Sequence, residues 1–240
     1  MAILTESHRQ EAKRQRVEAD TSGGVGRRSI NPNRLLIFRI FVHAAALVPL
    51  ALMVYLWLTG GLTANPVQDL TFRTGKAALW LLVLSLAATP ASTMLGFRPA
   101  LKVRRALGLY AFMYTSLHFL AFVWLDYGLD VGLMIEDVGT KRYILVGLAA
   151  FLILISLAIT STRGWMKRLG KNWKRLHKLV YLAGILAVVH YAWLVKADIR
   201  EPLAFGLAVG LLLLARVPAV RRPLNTFRLH MQSRMRAVKA

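Results

Sequence analysis

Residues 104–125 read RRALGLYAFMYTSLHFLAFVWL, and this stretch decides the fold. Two arginines open it, and the next 20 residues contain no Asp, Glu, Lys or Arg. At ~1.5 Å of rise per residue such a run forms a helix that crosses the ~30 Å hydrocarbon core of a bilayer. One imidazole, His118, interrupts it. An ionisable side chain at membrane depth is costly and marks a functional site. A second stretch, RLHKLVYLAGILAVVHYAWLV at residues 175–195, also opens on a base and carries His190 deep inside.

The spacing from the bases sets the depth. His118 lies 13 residues past Arg105, or ~20 Å, and His190 lies 15 residues past Arg175, or ~22 Å. Both imidazoles therefore sit about two-thirds of the way across from the basic side. Imidazole is the commonest protein ligand for metals and for haem iron. A haem iron held by two histidines needs one axial nitrogen from each side, so equal depth on neighbouring helices makes His118 and His190 a candidate axial pair. The ordinary alternative is two polar side chains hydrogen-bonded inside a helix bundle.

The rest of the chain supports a membrane setting. Its 240 residues are 56% hydrophobic, with a mean hydropathy of +0.49, too apolar for an ordinary soluble domain. Six apolar segments approach spanning length: Leu35–Leu58, Lys76–Leu95, Ala106–Leu125, Tyr143–Thr160, Leu176–Val195 and Leu203–Val220. The expected fold is an all-α integral membrane protein with six transmembrane helices in a bundle. With no cysteine, thiolate haem ligation, iron–sulfur clusters, disulfides and cysteine zinc sites are excluded.

The formal charge of +21 would suggest nucleic acid in a soluble protein. Its distribution argues otherwise. Arg98, Lys102, Arg104 and Arg105 lie between the second and third segments; Arg163, Lys167, Arg168, Lys171, Lys174 and Arg175 lie between the fourth and fifth. Arg216, Arg221, Arg222, Arg228, Arg234, Arg236 and Lys239 follow the end of the sixth apolar run, and none of these regions holds an acid. The connection 125–140 instead carries Asp126, Asp130, Glu136 and Asp137 without a base. The positive-inside rule then puts both termini and the basic loops in the cytoplasm, against anionic membrane lipids rather than nucleic acid. The acidic loop faces the periplasm of a bacterial inner membrane.

Residues 1–33 are polar and mix both charge signs, the composition of a disordered cytoplasmic tail. Residues 34–222 form the membrane domain and 223–240 a basic cytoplasmic tail. Arg27-Arg28 resembles a twin-arginine signal, but the long apolar run after it reads as a retained helix. No connection has room for a nucleotide-binding domain, and no internal repeat is evident. Pro49 and Pro90 require neighbours that satisfy the carbonyls they free. Most of the six tryptophans fall near span ends, as an interfacial belt.

His177 lies 13 residues before His190, ~20 Å away in depth and ~140° around an ideal helix, so the two cannot share an iron. It is an interfacial histidine, a ligand of a second, inner haem, or part of a flavin or quinone site. His43 reads first as a satisfied bundle histidine.

Several segments together resemble a known family: Arg104–Tyr110, Thr115–His118, Leu169–Leu182, Val189–Trp193, Asn65–Asp69 and Thr74-Gly75. They resemble MsrQ (YedZ), the haem-binding membrane subunit of the periplasmic methionine sulfoxide reductase system, within the ferric-reductase-like transmembrane group. The resemblance covers roughly residues 34–225. It implies haem b held by His118, His177 and His190, with FMN as a further cofactor. It also implies electron transfer to MsrP, a periplasmic molybdopterin enzyme acting on methionine sulfoxide in oxidised proteins, with electrons from the quinone pool or a cytosolic flavin reductase. The chain would then be an electron-transfer subunit without its own substrate-reducing site. Two-haem members of the wider group carry two histidines on each of two helices. Here Arg104 and Arg105 stand where one of the four would fall, so one complete pair survives.

Two other functions fit the residues alone. One is a cytochrome b anchor of another respiratory oxidoreductase. The other is a transporter that uses membrane histidines as a proton relay, which would be colourless.

Overall fold

The computed structural model describes residues 31–195, 198–217 and 219–220. The expected tails at 1–33 and 223–240 lie almost wholly outside the described residues, as do His8 and His230. Among the described residues all regular structure is helical. The helices are α1 (Pro32–Leu58), α2 (Pro66–Met94), α3 (Pro99–Leu120), α4 (Val131–Thr140), α5 (Arg142–Ile159), α6 (Arg163–Leu169), α7 (Lys171–Leu176), α8 (Leu179–Leu194) and α9 (Arg200–Leu214). A π-helical turn, Ala121–Asp126, continues α3.

The chain divides into two units, Met1–Ile37 and Phe38–Ala240. In the first, the Asn31 side chain accepts the Asn33 N–H at 3.0 Å where α1 begins. The second holds the rest of α1 and every other element. There α2 packs along α3, α5 along α8, and α3 against α5, while α9 leans on α8 and α2. Small residues let the backbones approach, as membrane bundles require: Ala111 and Ala183 are fully buried, and Ala77, Ala78 and Ala100 nearly so. Outward faces stay apolar, with Leu52 and Tyr55 on α1 and Leu203, Leu207 and Leu211 on α9 exposed.

Among the described residues five helical segments are long and apolar enough to cross a membrane: Pro32–Leu58, Pro66–Met94, Pro99–Asp126, Arg142–Ile159 and Lys171–Leu194. The sixth expected segment, Leu203–Val220, corresponds to α9, whose 15 residues fall short of the ~20 that span a bilayer. Two boundaries also differ from the expectation. α2 starts ten residues before Lys76, at Pro66, which takes the first helical position where its missing N–H costs nothing. Asn65 caps it by accepting the Gln68 N–H at 3.1 Å, and Asp69 pairs with Arg73 at 2.8 Å one turn on. Those polar residues hid these first turns, nearly three at ~3.6 residues each, from a hydropathy reading. The acidic connection is likewise structured: α4 is an amphipathic helix capped by Asp130, which accepts the Leu133 N–H at 3.1 Å.

The helix ladder is completed by side chains at Pro90 and beside Pro49. Pro90 frees the carbonyl of Leu86, and Arg216 Nη2 donates to it at 2.5 Å while Nη1 bonds the Tyr181 hydroxyl. Beside Pro49 the fully buried Tyr114 inserts into the ladder, donating to the Ala46 carbonyl at 2.8 Å and accepting the Leu50 N–H at 2.9 Å. At the other end of the bundle Lys76 meets Glu201 at 2.8 Å, and Glu201 also accepts the Tyr191 hydroxyl at 2.8 Å, tying α9 to α2 and α8.

Candidate functional site

His118 comes from α3 and His190 from α8, and their rings meet at the centre of the bundle, centroids 6.0 Å apart and planes crossed at 86°. Each ring is fixed by a bond to a neighbouring helix. His118 Nδ1 lies 2.8 Å from the carbonyl oxygen of Thr71 on α2, and His190 Nδ1 lies 2.8 Å from that of Tyr143 on α5. A carbonyl only accepts, so Nδ1 carries the proton in both rings and each Nε2 is left with a free lone pair. A bond of this kind, made by the other ring nitrogen, is what orients a metal-binding histidine.

The fit to a haem can be tested on the residues present. Two metal–imidazole bonds of ~2.0–2.1 Å each, plus the radii of the two rings, span about the observed centroid separation. The rings border a cavity of about 570 Å³ that is apolar at its deep end, with Leu82, Ala150 and Leu154, and polar at its outer end, with Asn65, Gln68 and Lys141. That gradient suits a macrocycle with an apolar body and two carboxylates at one edge. Gly75 and Gly147 lie directly against the two imidazoles; a Cβ would collide with His190 at Gly147 and crowd His118 at Gly75. The donor set and the space both fit.

His177 is not part of this site. It sits at the junction of α7 and α8, its Nε2 3.2 Å from the Thr160 hydroxyl and its ring stacked on Trp173 at 4.0 Å. Trp173 Nε1 in turn donates to the Thr160 carbonyl at 2.9 Å, and Arg104 and Arg105 are its charged neighbours. His43 bonds the Tyr110 hydroxyl at 3.0 Å through Nδ1, as a satisfied bundle histidine does.

The acidic connection closes over the outer end of the cavity, which Tyr127, Met134, Ile135 and Val138 also line. Asp137 accepts the Tyr127 hydroxyl and pairs with Lys141 at 2.5 Å. Burial and the bond to Asp137 push the Tyr127 phenol up to about 12, and Lys141 together with Tyr127 holds the Asp137 carboxyl below the usual carboxylate range. The triad therefore stays intact through neutral pH. Gly128 and Leu129 both have left-handed backbone, φ 59° and 67°, which turns the chain from the π-helical segment into α4.

A family model described as the ferric reductase like transmembrane component matches residues 74–188, which include Gly75, His118 and Gly147 and end two residues before His190. The protein-methionine-sulfoxide reductase heme-binding subunit MsrQ of Rhodospirillum rubrum is 46% identical over 196 residues, 81% of this chain and 94% of that protein. The chain belongs to the MsrQ family. MsrQ of Xanthomonas campestris pv. campestris is 47% identical over 178 residues, 72% of this chain and 82% of the relative. MsrQ of Xanthomonas axonopodis pv. citri is 46% identical over 181 residues, 73% and 83%. Membership of MsrQ, a transmembrane family, and five helices of spanning character together make this a multi-pass membrane protein.

Sequence reasoning missed the second layer of the site. Thr71 and Tyr143 contribute through backbone carbonyls, which any residue type could supply. The available signal was a glycine four residues further on in each case, Gly75 and Gly147.

Proposed function

We propose that this chain is the haem b membrane subunit that carries electrons to a periplasmic, MsrP-like molybdopterin reductase of methionine sulfoxide, for repair of oxidised proteins. The reading rests on one observation above all: two imidazoles, each tied through Nδ1 to a backbone carbonyl so that Nε2 keeps its lone pair, lie with ring centroids 6.0 Å apart beside a largely apolar cavity. His118 and His190 would hold the iron. When bound, haem b supplies a one-electron centre that neither histidine nor any other side chain here can provide. The chain's own task is to orient the two rings, exclude water with apolar side chains such as Leu82 and Leu154, and present the outer end of the cavity to a partner.

Topologically, we place six spans in the bacterial inner membrane with both termini cytoplasmic, the sixth being the apolar segment Leu203–Val220. A membrane domain at 34–222 then lies between two cytoplasmic tails. A reporter fused after Ala240 should be active only in the cytoplasm; activity confined to the periplasm would overturn this orientation and the depth assigned to His190.

Electrons enter on the basic side, from the quinone pool or from a cytosolic reduced flavin, and FMN is the expected second cofactor on the strength of the family. Arg104, Arg105 and the basic loop around Lys174 and Arg175 suit a flavin phosphate. The family also implies His177 as a haem ligand. Its bond to Thr160 and its stacking on Trp173 favour a place on the entry path instead. On the exit side Asp126, Asp130 and Glu136 would steer a partner with a basic docking patch. The decisive experiment reduces the purified haem protein and adds the periplasmic reductase with methionine sulfoxide. Rapid reoxidation that slows with added salt is expected, and no reoxidation would refute the assignment. His177→Ala should slow reduction by quinol or reduced flavin and leave reoxidation intact.

A further inference from the structure

The two histidines are held by units that repeat along the chain. Thr71, Gly75 and His118 recur 72 positions later as Tyr143, Gly147 and His190. The ring-to-carbonyl bond spans 47 residues in both copies. The same offset carries three buried residues onto buried residues: Ala78 onto Ala150, Leu82 onto Leu154 and the fully buried Ala111 onto Ala183. Contrary to the sequence expectation, the α2–α3 pair and the α5–α8 pair are therefore equivalent halves, and the histidines meet at the seam between them.

Why glycine recurs follows from helix geometry. The carbonyl of residue i already accepts the N–H of residue i+4. A ring that takes the second lone pair of that carbonyl must lie over residue i+4, which is Gly75 in one half and Gly147 in the other. A Cβ at Gly75 would stand 3.1 Å from His118 Nδ1 and 3.2 Å from Cε1. One at Gly147 would stand 2.6 Å from His190 Nδ1 and 2.8 Å from Cε1, well inside contact distance.

We propose that Gly75 and Gly147, with the carbonyls of Thr71 and Tyr143, are positioning residues that fix the plane and tautomer of each imidazole and hold the two rings crossed. The proposal rests on the haem reading above. Its consequence is spectroscopic. Two parallel imidazole planes split the iron d orbitals and give a rhombic low-spin ferric EPR spectrum. Crossed planes, 86° here, leave two of those orbitals nearly degenerate and give a strongly anisotropic spectrum dominated by one large g value.

In Gly147→Ala the helix backbone can stay and the ring must move, because the imidazole is the mobile partner of the collision. The anisotropic signal should give way to a rhombic or high-spin one, the midpoint potential should shift, and helical circular dichroism should remain as in the parent. Gly75→Ala should do the same to a smaller extent, and it carries the test alone if Gly147→Ala does not fold. Two variants separate positioning from packing. Gly184→Ala would press its Cβ on Leu86 Cδ1 at 3.2 Å, away from both imidazoles, and Gly210→Ala meets nothing within 4 Å; both should keep the parent spectrum. A parent chain with low-spin haem but a rhombic spectrum would overturn the crossed geometry. So would glycine variants that keep both signal and potential at full haem content, or a Gly184→Ala spectrum changed as much as theirs. A parent chain that binds no low-spin haem would instead remove the haem reading on which the proposal stands.

Discussion

Replacing His118 or His190 with alanine is expected to abolish the low-spin b-type spectrum of the purified protein. Each ring supplies one of the two axial nitrogens, and among the described residues no other imidazole is free to substitute: His177 is held by Thr160 and Trp173, and His43 by Tyr110. Loss of even an outer partner of a metal-ligating histidine costs about 10–100-fold in affinity, so loss of the ligand itself should cost at least that. The residual pigment should be high-spin, with one protein ligand. His177→Ala should retain the low-spin signal in full, which distinguishes an axial ligand from a residue on the entry path. Haem content and reduced-minus-oxidised spectra of the three variants decide the matter. If both His118→Ala and His190→Ala keep the parent spectrum, the axial pair is wrong.

The reach of the sequence can be seen in these same residues. The meeting of His118 with His190 was legible because equal helix rise from the flanking bases puts both imidazoles at one level, and their ring centroids do lie 6.0 Å apart. Their partners were not, since the carbonyls of Thr71 and Tyr143 belong to the backbone and leave no mark in residue type. The equivalence of the two halves was hidden because many of its pairs exchange one residue type for another, as Leu79 for Phe151 or Val83 for Ile155. The repeat keeps a shared residue type where a physical reason is visible: glycine at Gly75 and Gly147, where a Cβ would crowd the imidazole, and histidine at His118 and His190. Arg216 is a further case. Counted with the basic residues that sort to the cytoplasm, it proves to have a specific place, completing the rung that Pro90 leaves open. The start of α2 and the existence of α4 escaped a reading by hydropathy because capping and amphipathic pattern define them, and length of apolar run does not.

Tyr114→Ala is expected to be the most damaging substitution for the fold outside the two axial histidines. The ring is completely buried, and its hydroxyl bridges the Ala46–Leu50 rung of α1, the rung next to the one that Pro49 deletes. Removing a buried aromatic ring costs about 3–5 kcal/mol, a large share of the ~5–15 kcal/mol that holds a typical domain together. Tyr114→Phe separates the two contributions. It keeps the ring and deletes only the hydroxyl, leaving the Ala46 carbonyl and the Leu50 N–H unpaired in a medium without water to satisfy them, at about 1–3 kcal/mol. Thermal denaturation in detergent, followed by helical circular dichroism, should rank the parent above Tyr114→Phe and Tyr114→Phe above Tyr114→Ala. In Tyr114→Phe the loss should shrink when Pro49 is also replaced by alanine, because the regular ladder can then re-form without a bridging hydroxyl. A Tyr114→Phe variant as stable as the parent, with no coupling to Pro49, would show that the rung is satisfied from elsewhere and that the tyrosine acts through packing alone.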